Sequence, residues 1–505
     1  KLQRMGLNTV LVPAYWDLTE PTEGHFDFTL TDKVLQQARR NNLKVVFLWF
    51  GAWKNSMSCY APLWFKENHK KYPRAYTQTG KPLEIASAFS ENVYQADNRA
   101  FSAWLQHIAA IDKEEGTVIM VQIENEIGML EDARDYSQEA DKAFRAPVPT
   151  ELMNYLQKNK KTLHSQMIKK WESQGCKKQG TWQEVFGADI YTDEIFMAWH
   201  YARYVERMAQ TARSIYNVPL YVNAAMNSRG RKPGEYPSAG PLAHLIDVWR
   251  CGAPNIDILA PDLYDDGFTN WVAQYKLHNN PLFIPEIRLT DNNGVRAFYI
   301  FGEHDAIGIS PFSIEDGSDS SDSPLVQSYA RLKELMPLLT EYQGKGMMKG
   351  LLFNQKDKER IITDDDLSIT CRHYFTLPWD PRATDGSAWP EGGGLILKLS
   401  KNEYIVAGSG IVLEFTKASE KPGSEIRKQL GEDGFALSNE QIKTKKERFQ
   451  GMRCGIGHVD EVEVDKEGKF RYIRRLNGDQ DHQGRHVRIS VGEFKILHVQ
   501  LYEYQ

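Results

Sequence analysis

From residue 9 to about residue 343, short apolar runs rich in β-branched residues alternate with amphipathic helical stretches. The runs lie at 9–13 (TVLVP), 44–50 (KVVFLWF), 117–123 (TVIMVQI), 220–223, 256–260, 282–284 and 306–310. Helical periodicity fills the intervals near 30–41, 97–111, 192–215, 242–250, 269–278, 295–301 and 325–342. A strand that is apolar on both faces must be covered on both, so the alternation predicts parallel strands flanked by helices. Seven βα units are legible, whereas a closed (β/α)8 TIM barrel needs eight. The chain begins just ahead of a strand, so the expected fold is a barrel whose first strand lies upstream of Lys1. A doubly wound open sheet is the other arrangement, but no Gly-rich nucleotide loop follows the first run.

A polar insertion at about 129–187 interrupts the alternation, and from about 344 it stops altogether. Short alternating segments such as 394–399 (GLILKL), 404–407, 411–415, 470–474 and 494–501 follow, separated by Gly- and Asp-rich turns. That texture predicts an all-β sandwich or jelly-roll-like domain. The expected division is a barrel domain over 1–343 and a C-terminal β-domain over 344–505.

Composition narrows the function classes. The 505 residues are 41% hydrophobic and 26% charged, which suits a folded globular chain and excludes disorder. The net charge is −5, with 62 basic and 67 acidic residues intermixed, so no nucleic-acid partner is indicated. No run of 18 apolar residues exists, so no membrane-spanning segment is encoded. The five cysteines are odd in number and none forms CxxC, which indicates neither a disulfide framework nor a zinc ribbon and leaves the redox compartment undecided. No HExxH, Walker loop or GxSxG occurs, and the 13 histidines lack metal-ligand spacing. The 12 Trp, 23 Tyr and 22 Phe have two readings: a large core, or a cleft whose flat faces stack on sugars.

In a barrel the active site forms at the carboxyl ends of the strands. The run at 117–123 ends in Glu124-Asn125-Glu126, and the run at 282–284 ends in Pro285-Glu286. Alternation puts Glu124 and Glu126 on one side if the strand continues. Alone, each could be a solvated loop or a strand-end ion pair. Together, carboxylates from two separated strands can converge over the barrel mouth, as glycoside hydrolysis requires of its acid and its nucleophile or base. The run at 256–260 ends in Pro261-Asp262-Leu263-Tyr264, and Tyr264 could hydrogen-bond a neighbouring carboxylate. Tyr15, Trp16 and Trp53 stand near the ends of the first two runs and are candidates to line a sugar subsite.

The segments Gly6–Val10, Trp16, Glu20-Pro21 and Gly24–Phe28, together with Gln122-Ile123-Glu124-Asn125-Glu126-Ile127-Gly128, resemble β-galactosidases of glycoside hydrolase families 35 and 42. The resemblance covers the barrel region and is densest at 6–28 and 117–128. Both families are clan A barrels, in which the acid/base ends the fourth strand and the nucleophile ends the seventh. The resemblance therefore implies Glu126 as acid/base and Glu286 as nucleophile, with one strand upstream. It further implies a retaining exo-acting β-glycosidase, most simply a β-galactosidase, which needs no cofactor. Asn125 would bind the sugar 2-hydroxyl, Tyr264 would orient Glu286, and Glu124 is a further substrate-binding candidate. The whole is similar to a divergent bacterial subgroup that carries its own C-terminal β-domain and is exported to the periplasm or cell surface. Arabinosides, xylosides or a branched plant glycan are alternative substrates. A barrel that binds carbohydrate without turnover also stays open, as does a homo-oligomer completed by the C-terminal domain.

Overall fold

The computed structural model describes residues 1–227, 230–420 and 451–505. They form two compact units, 1–290 with 306–319, and 291–305 with 320–505.

The first unit is built on seven parallel strands, one for each apolar run: β1 (Thr9–Tyr15), β2 (Lys44–Lys54), β3 (Val118–Asn125), β4 (Leu220–Ala225), β5 (Ile258–Leu263), β6 (Phe283–Ile287) and β7 (Gly308–Pro311). Their spatial order follows the chain from β1 to β7 without reversal. A doubly wound sheet reverses its order at a switch point, so that alternative is excluded. Curvature is visible in the packing. Val46, Leu48 and Phe50 of β2, Met120 of β3, Tyr221 of β4, Ile258 and Ala260 of β5 and Phe283 of β6 share one cluster, joined by Leu11 and Tyr15 of β1. Alternate residues point to one face of a strand, and only a curled sheet brings those faces from six strands together. This is the interior of a (β/α)8-type barrel.

Helices α1 (Thr29–Arg40), α2 (Glu91–Asp112), α3 (Ile190–Ile215), α4 (Ile246–Gly252) and α5 (Phe268–Tyr275) separate the strands. Ser90 caps α2 through the Val93 N–H, and Asp189 caps α3 through the N–H groups of Tyr191 and Thr192. The expected insertion at 129–187 contains four short helices that bury Leu152, Leu156, Trp171 and Trp182.

The second unit opens with α6 (Asn293–His304) and α7 (Pro324–Tyr342), helices whose periodicity reads from sequence as a continuation of the barrel. Ten strands follow: β8 (Met348–Phe353), β9 (Glu359–Asp364), β10 (Leu367–His373), β11 (Gly392–Ser400), β12 (Glu403–Ser409), β13 (Ile411–Lys417), β14 (Arg453–Val464), β15 (Phe470–Leu476), β16 (Val487–Ile489) and β17 (Lys495–Tyr504). They make a six-stranded sheet, β8-β11-β12-β17-β14-β15, and a four-stranded sheet, β9-β10-β13-β16. Both contribute to one core, with Phe353, Val406, Val459 and Val499 from the first and Ile369, Leu413 and Val487 from the second. This is the expected β-sandwich; residues 421–450 of the expected C-terminal domain lie outside the described residues. Glycines let α6 lie close on the first sheet: a Cβ on Gly302 would stand 2.7 Å from the Lys349 carbonyl oxygen and from Leu395 Cβ.

Asp112 fixes how the chain enters β3, the strand that carries the Glu124–Glu126 segment. Its buried carboxylate accepts hydrogen bonds from the Val118 N–H (2.7 Å), the Thr117 N–H (3.1 Å), Arg39 (2.7 Å) and the Tyr216 hydroxyl (3.2 Å). Burial alone would raise its pKa, but the Val118 and Thr117 N–H groups and Arg39 together hold it below the usual carboxylate range. A depressed native pKa stabilises the fold above the unfolded pKa, and that contribution disappears as pH falls through the native value. Asp112→Asn is therefore expected to lower stability at neutral pH by about 1.5–3 kcal/mol. In urea denaturation the gap from wild type should narrow steadily below about pH 4.

Candidate active site

The residues that follow belong to the first unit. At the end of β3 the backbone leaves the strand through two non-glycine residues in the left-handed region, Glu124 (φ 58°) and Glu126 (φ 47°), on either side of Asn125. That conformation is costly for glutamate and persists only where the surroundings over-determine it. Here they do. Gln122 Nε2 donates to the Glu124 carbonyl (2.7 Å), and the Asn55 N–H donates to the Asn125 carbonyl (3.2 Å). The Glu126 carbonyl accepts from the Ser56 N–H (3.1 Å) and Oγ (3.0 Å), while the Glu126 N–H donates to Asn223 Oδ1 (3.0 Å).

The double twist sends the two glutamates to different places. Glu126 turns to the barrel mouth, where one carboxylate oxygen from each of Glu126, Asp262 and Glu286 lies within 4.8 Å of the other two. Glu286 lies in β6, paired in register with Asp262 of β5. Glu286 Oε2 accepts from the Tyr264 hydroxyl (2.7 Å), and Oε1 accepts from Asn125 Nδ2 (3.4 Å). Burial raises the Glu126 pKa and the nearby Glu286 adds to it, while Asp262 and Lys54 oppose. Burial likewise drives Asp262 well above the usual carboxylate range, and Glu286 and Glu126 drive it further.

Glu124 turns the other way. It is fully buried, and its Oε2 accepts from the Trp53 N–H (2.7 Å). Its carboxyl hydrogen-bonds to that of Asp97 on α2, which is also fully buried and accepts from Trp49 Nε1 (2.9 Å) and the Tyr204 hydroxyl (2.7 Å). Burial raises the pKa of both, and for Glu124 the Asp97 charge is the next cause, so the folded state favours keeping a proton on the pair. Gly51 leaves room for it: a Cβ there would come within 2.5 Å of Asp97 Oδ1 and 2.8 Å of Glu124 Oε1.

Of the residues expected at the site, Glu126, Glu286, Asn125 and Tyr264 come together. Tyr15 sits over the barrel interior, half-buried, its ring 4.9 Å from Tyr60 and 5.7 Å from Phe50. Three expectations are corrected. Glu124 has no exposed surface with which to touch a substrate. Trp16 is buried, donates to Glu20 Oε2 (2.9 Å) and packs on Phe65. Trp53 is buried because β2 runs on to Lys54, which turns the indole outward against Tyr201 and Tyr204 of α3. Three residues not singled out from sequence belong to the arrangement: Asp262, Asn223 and Asp97. A signal was available for Asn223, which ends an apolar run.

Two groups have ligand atoms close enough for a metal ion among the described residues: the three mouth carboxylates, and His458, Asp460 and His498 of the second unit. In the latter, Asp460 is held by a two-point ion pair with Arg475, and His498 by Glu403.

Fold and site define a class: an α/β barrel with two carboxylates brought together from the ends of strands three apart, the architecture of a glycoside hydrolase. A family model described as beta-galactosidase, glycoside hydrolase family 42, matches residues 1–223, which include Glu126 and stop short of Glu286. A second model, described as a domain of unknown function (DUF5597), matches residues 325–488. Family 42 is thus the one of the two resembled families whose model matches. Among solved structures, the chain is similar to a β-galactosidase from the psychrophilic Marinomonas ef1 (14% identity, TM-score 0.45, covering 67% of this chain and 57% of that one). It is also similar to a β-galactosidase from Bacillus circulans sp. alkalophilus (13%, 0.44, 66% and 53%). A β-mannanase from the blue mussel Mytilus edulis is a further match (14%, 0.35, 65% and 81%). The chain spans little more than half the length of the galactosidases it matches. No curated protein matches it.

The Asp97–Glu124 pair gives a pH signature. Folding raises both carboxyl pKa values, so the native state holds the extra proton and loses stability as pH climbs from the unfolded to the native pKa. Glu124→Gln supplies a neutral N–H donor to Asp97 and removes that loss. Thermal unfolding is expected to find the variant equal to wild type near pH 4 and progressively more stable above it, by up to about 1.4 kcal/mol per pH unit. A constant offset at all pH values would contradict the shared proton.

Proposed function

We propose that the chain is a retaining, exo-acting β-glycosidase of the β-galactosidase type. The observation that carries this reading is the 4.8 Å limit on the separations among the Glu126, Asp262 and Glu286 oxygens. Inverting enzymes hold their carboxyl groups about 6.5–9.5 Å apart to admit a water, whereas retaining ones hold them at about 5–5.5 Å. The beta-galactosidase model over residues 1–223 supports the substrate class.

The two carboxyls are unequal in a way that suits the two roles. Glu286 is partly exposed and receives donors on both oxygens, from Tyr264 and Asn125. That fits a group that must attack the anomeric carbon as an anion and leave it again. Glu126 is buried with a raised pKa, which fits a proton donor. In the first step Glu286 bonds to the anomeric carbon while the glycosidic bond breaks, and the departing oxygen takes the proton of Glu126. In the second step the Glu126 carboxylate takes a proton from water, whose oxygen displaces Glu286. Asn125, beside Glu286, would bind the sugar 2-hydroxyl, and Tyr15 would border the pocket. We extend the proposal to the family 35 likeness of residues 122–128 and to a divergent subgroup with its own C-terminal β-region.

Glu286→Gly is expected to lower hydrolysis of aryl β-galactosides by at least about 10⁴-fold. Azide should restore turnover of that variant and yield the α-galactosyl azide, while azide with Glu126→Ala should yield the β-azide. A panel of aryl glycosides run beside it sets the sugar. Wild-type activity in Glu286→Gly, or binding of glycans with no turnover of any, would overturn the reading.

A further inference from the structure

We infer that Asp262 is a positioning residue for the acid/base: Asp262 and Glu126 together hold the one proton that Glu126 delivers to the leaving group. The inference rests on the glycosidase reading above and adds a third carboxyl to it.

Geometry leaves Asp262 little other use. Its side chain is 1% exposed, so it meets no bulk water. Oδ2 accepts a 2.6 Å hydrogen bond from Asn223 Nδ2, and the same Asn223 accepts the Glu126 backbone N–H through Oδ1 at 3.0 Å. One amide therefore sets the position of both carboxyl-bearing residues. Oδ1 of Asp262 is buried and receives no donor from any described group. A bare carboxylate oxygen in that position is unfavourable, and the buried carboxyl of Glu126 lies beside Asp262 in the same 4.8 Å cluster. Two buried carboxyls this close, one of them with an unpartnered oxygen, are best accommodated by one proton between them.

The charges around the pair hold that proton in place. Glu286 faces it from β6 within the same 4.8 Å cluster. Tyr221 of β4, Tyr264 after β5 and Tyr275 of α5 face it as neutral phenols whose pKa values are raised chiefly by burial. Lys54 at the end of β2 is the cation acting on Glu126. One lysine beside three carboxyls favours keeping one of the three protonated. During turnover the proton passes from Glu126 to the departing oxygen as Glu286 bonds to the sugar, leaving Glu126 and Asp262 both anionic. The second negative charge makes Glu126 the stronger base for the next step, in which it recovers a proton from the attacking water. Asp262 thus keeps the proton available and ensures its return, without touching the sugar.

The test is the pH and leaving-group dependence of Asp262→Asn, an isosteric change that lets an amide N–H face Glu126 and stabilise its anion. The alkaline limb of kcat/KM is expected to move down by about one pH unit. Hydrolysis of aryl glycosides with poor leaving groups, which need the acid, should fall by about tenfold or more. Dinitrophenyl glycosides, which need little protonation, should lose less than about threefold in the glycosylation step. Asn223→Ser, which removes the donor from Asp262 Oδ2, should move the limb the opposite way, and it keeps the test open should Asp262→Asn fold poorly. Trapping of Glu286 by a 2-deoxy-2-fluoroglycoside, read by mass, counts the folded competent sites of each variant. An unmoved limb, or a loss uniform across leaving groups, would overturn the inference. If azide rescue of Glu286→Gly succeeds while Asp262→Asn behaves as wild type, only the role of Asp262 falls; if rescue fails as well, the glycosidase reading falls with it.

Discussion

The left-handed turn at Glu124-Asn125-Glu126 is the constraint from which the rest of the site follows. A strand that simply continued would send both glutamates to one face, either both into the barrel mouth or both away from it. Two successive departures from extended backbone divide them instead. One carboxyl goes outward to α2 and the other inward to β5 and β6. The conformation is sustained by partners from every side: Asn55 and Ser56 after β2, Gln122 within β3 and Asn223 of β4. The turn therefore depends on the order of the barrel strands, and the barrel is what makes so unfavourable a backbone affordable.

Division of the glutamates also divides the charge. Five acidic side chains lie around the end of β3: Asp97, Glu124, Glu126, Asp262 and Glu286. Left ionised together in a buried setting they would repel strongly, since two unit charges 4 Å apart cost about 4 kcal/mol at an effective dielectric near 20. The structure groups them as a wall pair, Asp97 with Glu124, and a mouth trio. In the wall pair the shared proton is structural, tying α2 to β3 behind the site. In the mouth the same physics, burial with a like charge close by, raises the Glu126 carboxyl, which suits the acid role proposed for it. One device thus serves a packing role on one side of the strand and a chemical role on the other.

How much of this is legible in the sequence follows from which signals are local. Each of the seven apolar runs is a strand, because continuous β-branched segments have few other ways to be buried. Glu286 is legible because a carboxylate just past such a run has to sit near its end, whereas choosing Glu126 over Glu124 needs the resemblance of residues 122–128 to a known acid/base segment. The end of β2 is not. Gly51-Ala52 after KVVFLWF reads as a break, yet the strand continues, because Gly51 is there for the close approach of Asp97 and Glu124 and not for a turn. Four added residues move Trp53 from the mouth to the outer wall. The left-handed glutamates are illegible for a related reason: their conformation is imposed largely by two distant segments, Asn55-Ser56 and Asn223, and glutamate carries no local preference for it. Aromatic abundance proves mainly a core property, with Trp16, Trp49, Trp53, Trp104, Trp171, Trp182 and Trp249 all fully buried.

The same reasoning bears on why Asp262 hides among ordinary strand residues. Its neighbour Tyr264 announces itself, since a phenol at a strand end beside an expected nucleophile has an evident use. An aspartate one step inside a buried strand has none until its partners are known. What identifies it is convergence: in-register pairing with Glu286 across the β5–β6 ladder, an amide from β4 fixed on one oxygen, and the carboxyl of Glu126 within the same 4.8 Å cluster. Each link reaches a different strand, so it is the neighbouring order β3-β4-β5-β6 that joins them. A barrel suits two-carboxylate chemistry for that reason. It places acids from separate strands within a few ångströms of one another, and it surrounds them with the buried amides and phenols that decide which of them keeps the proton.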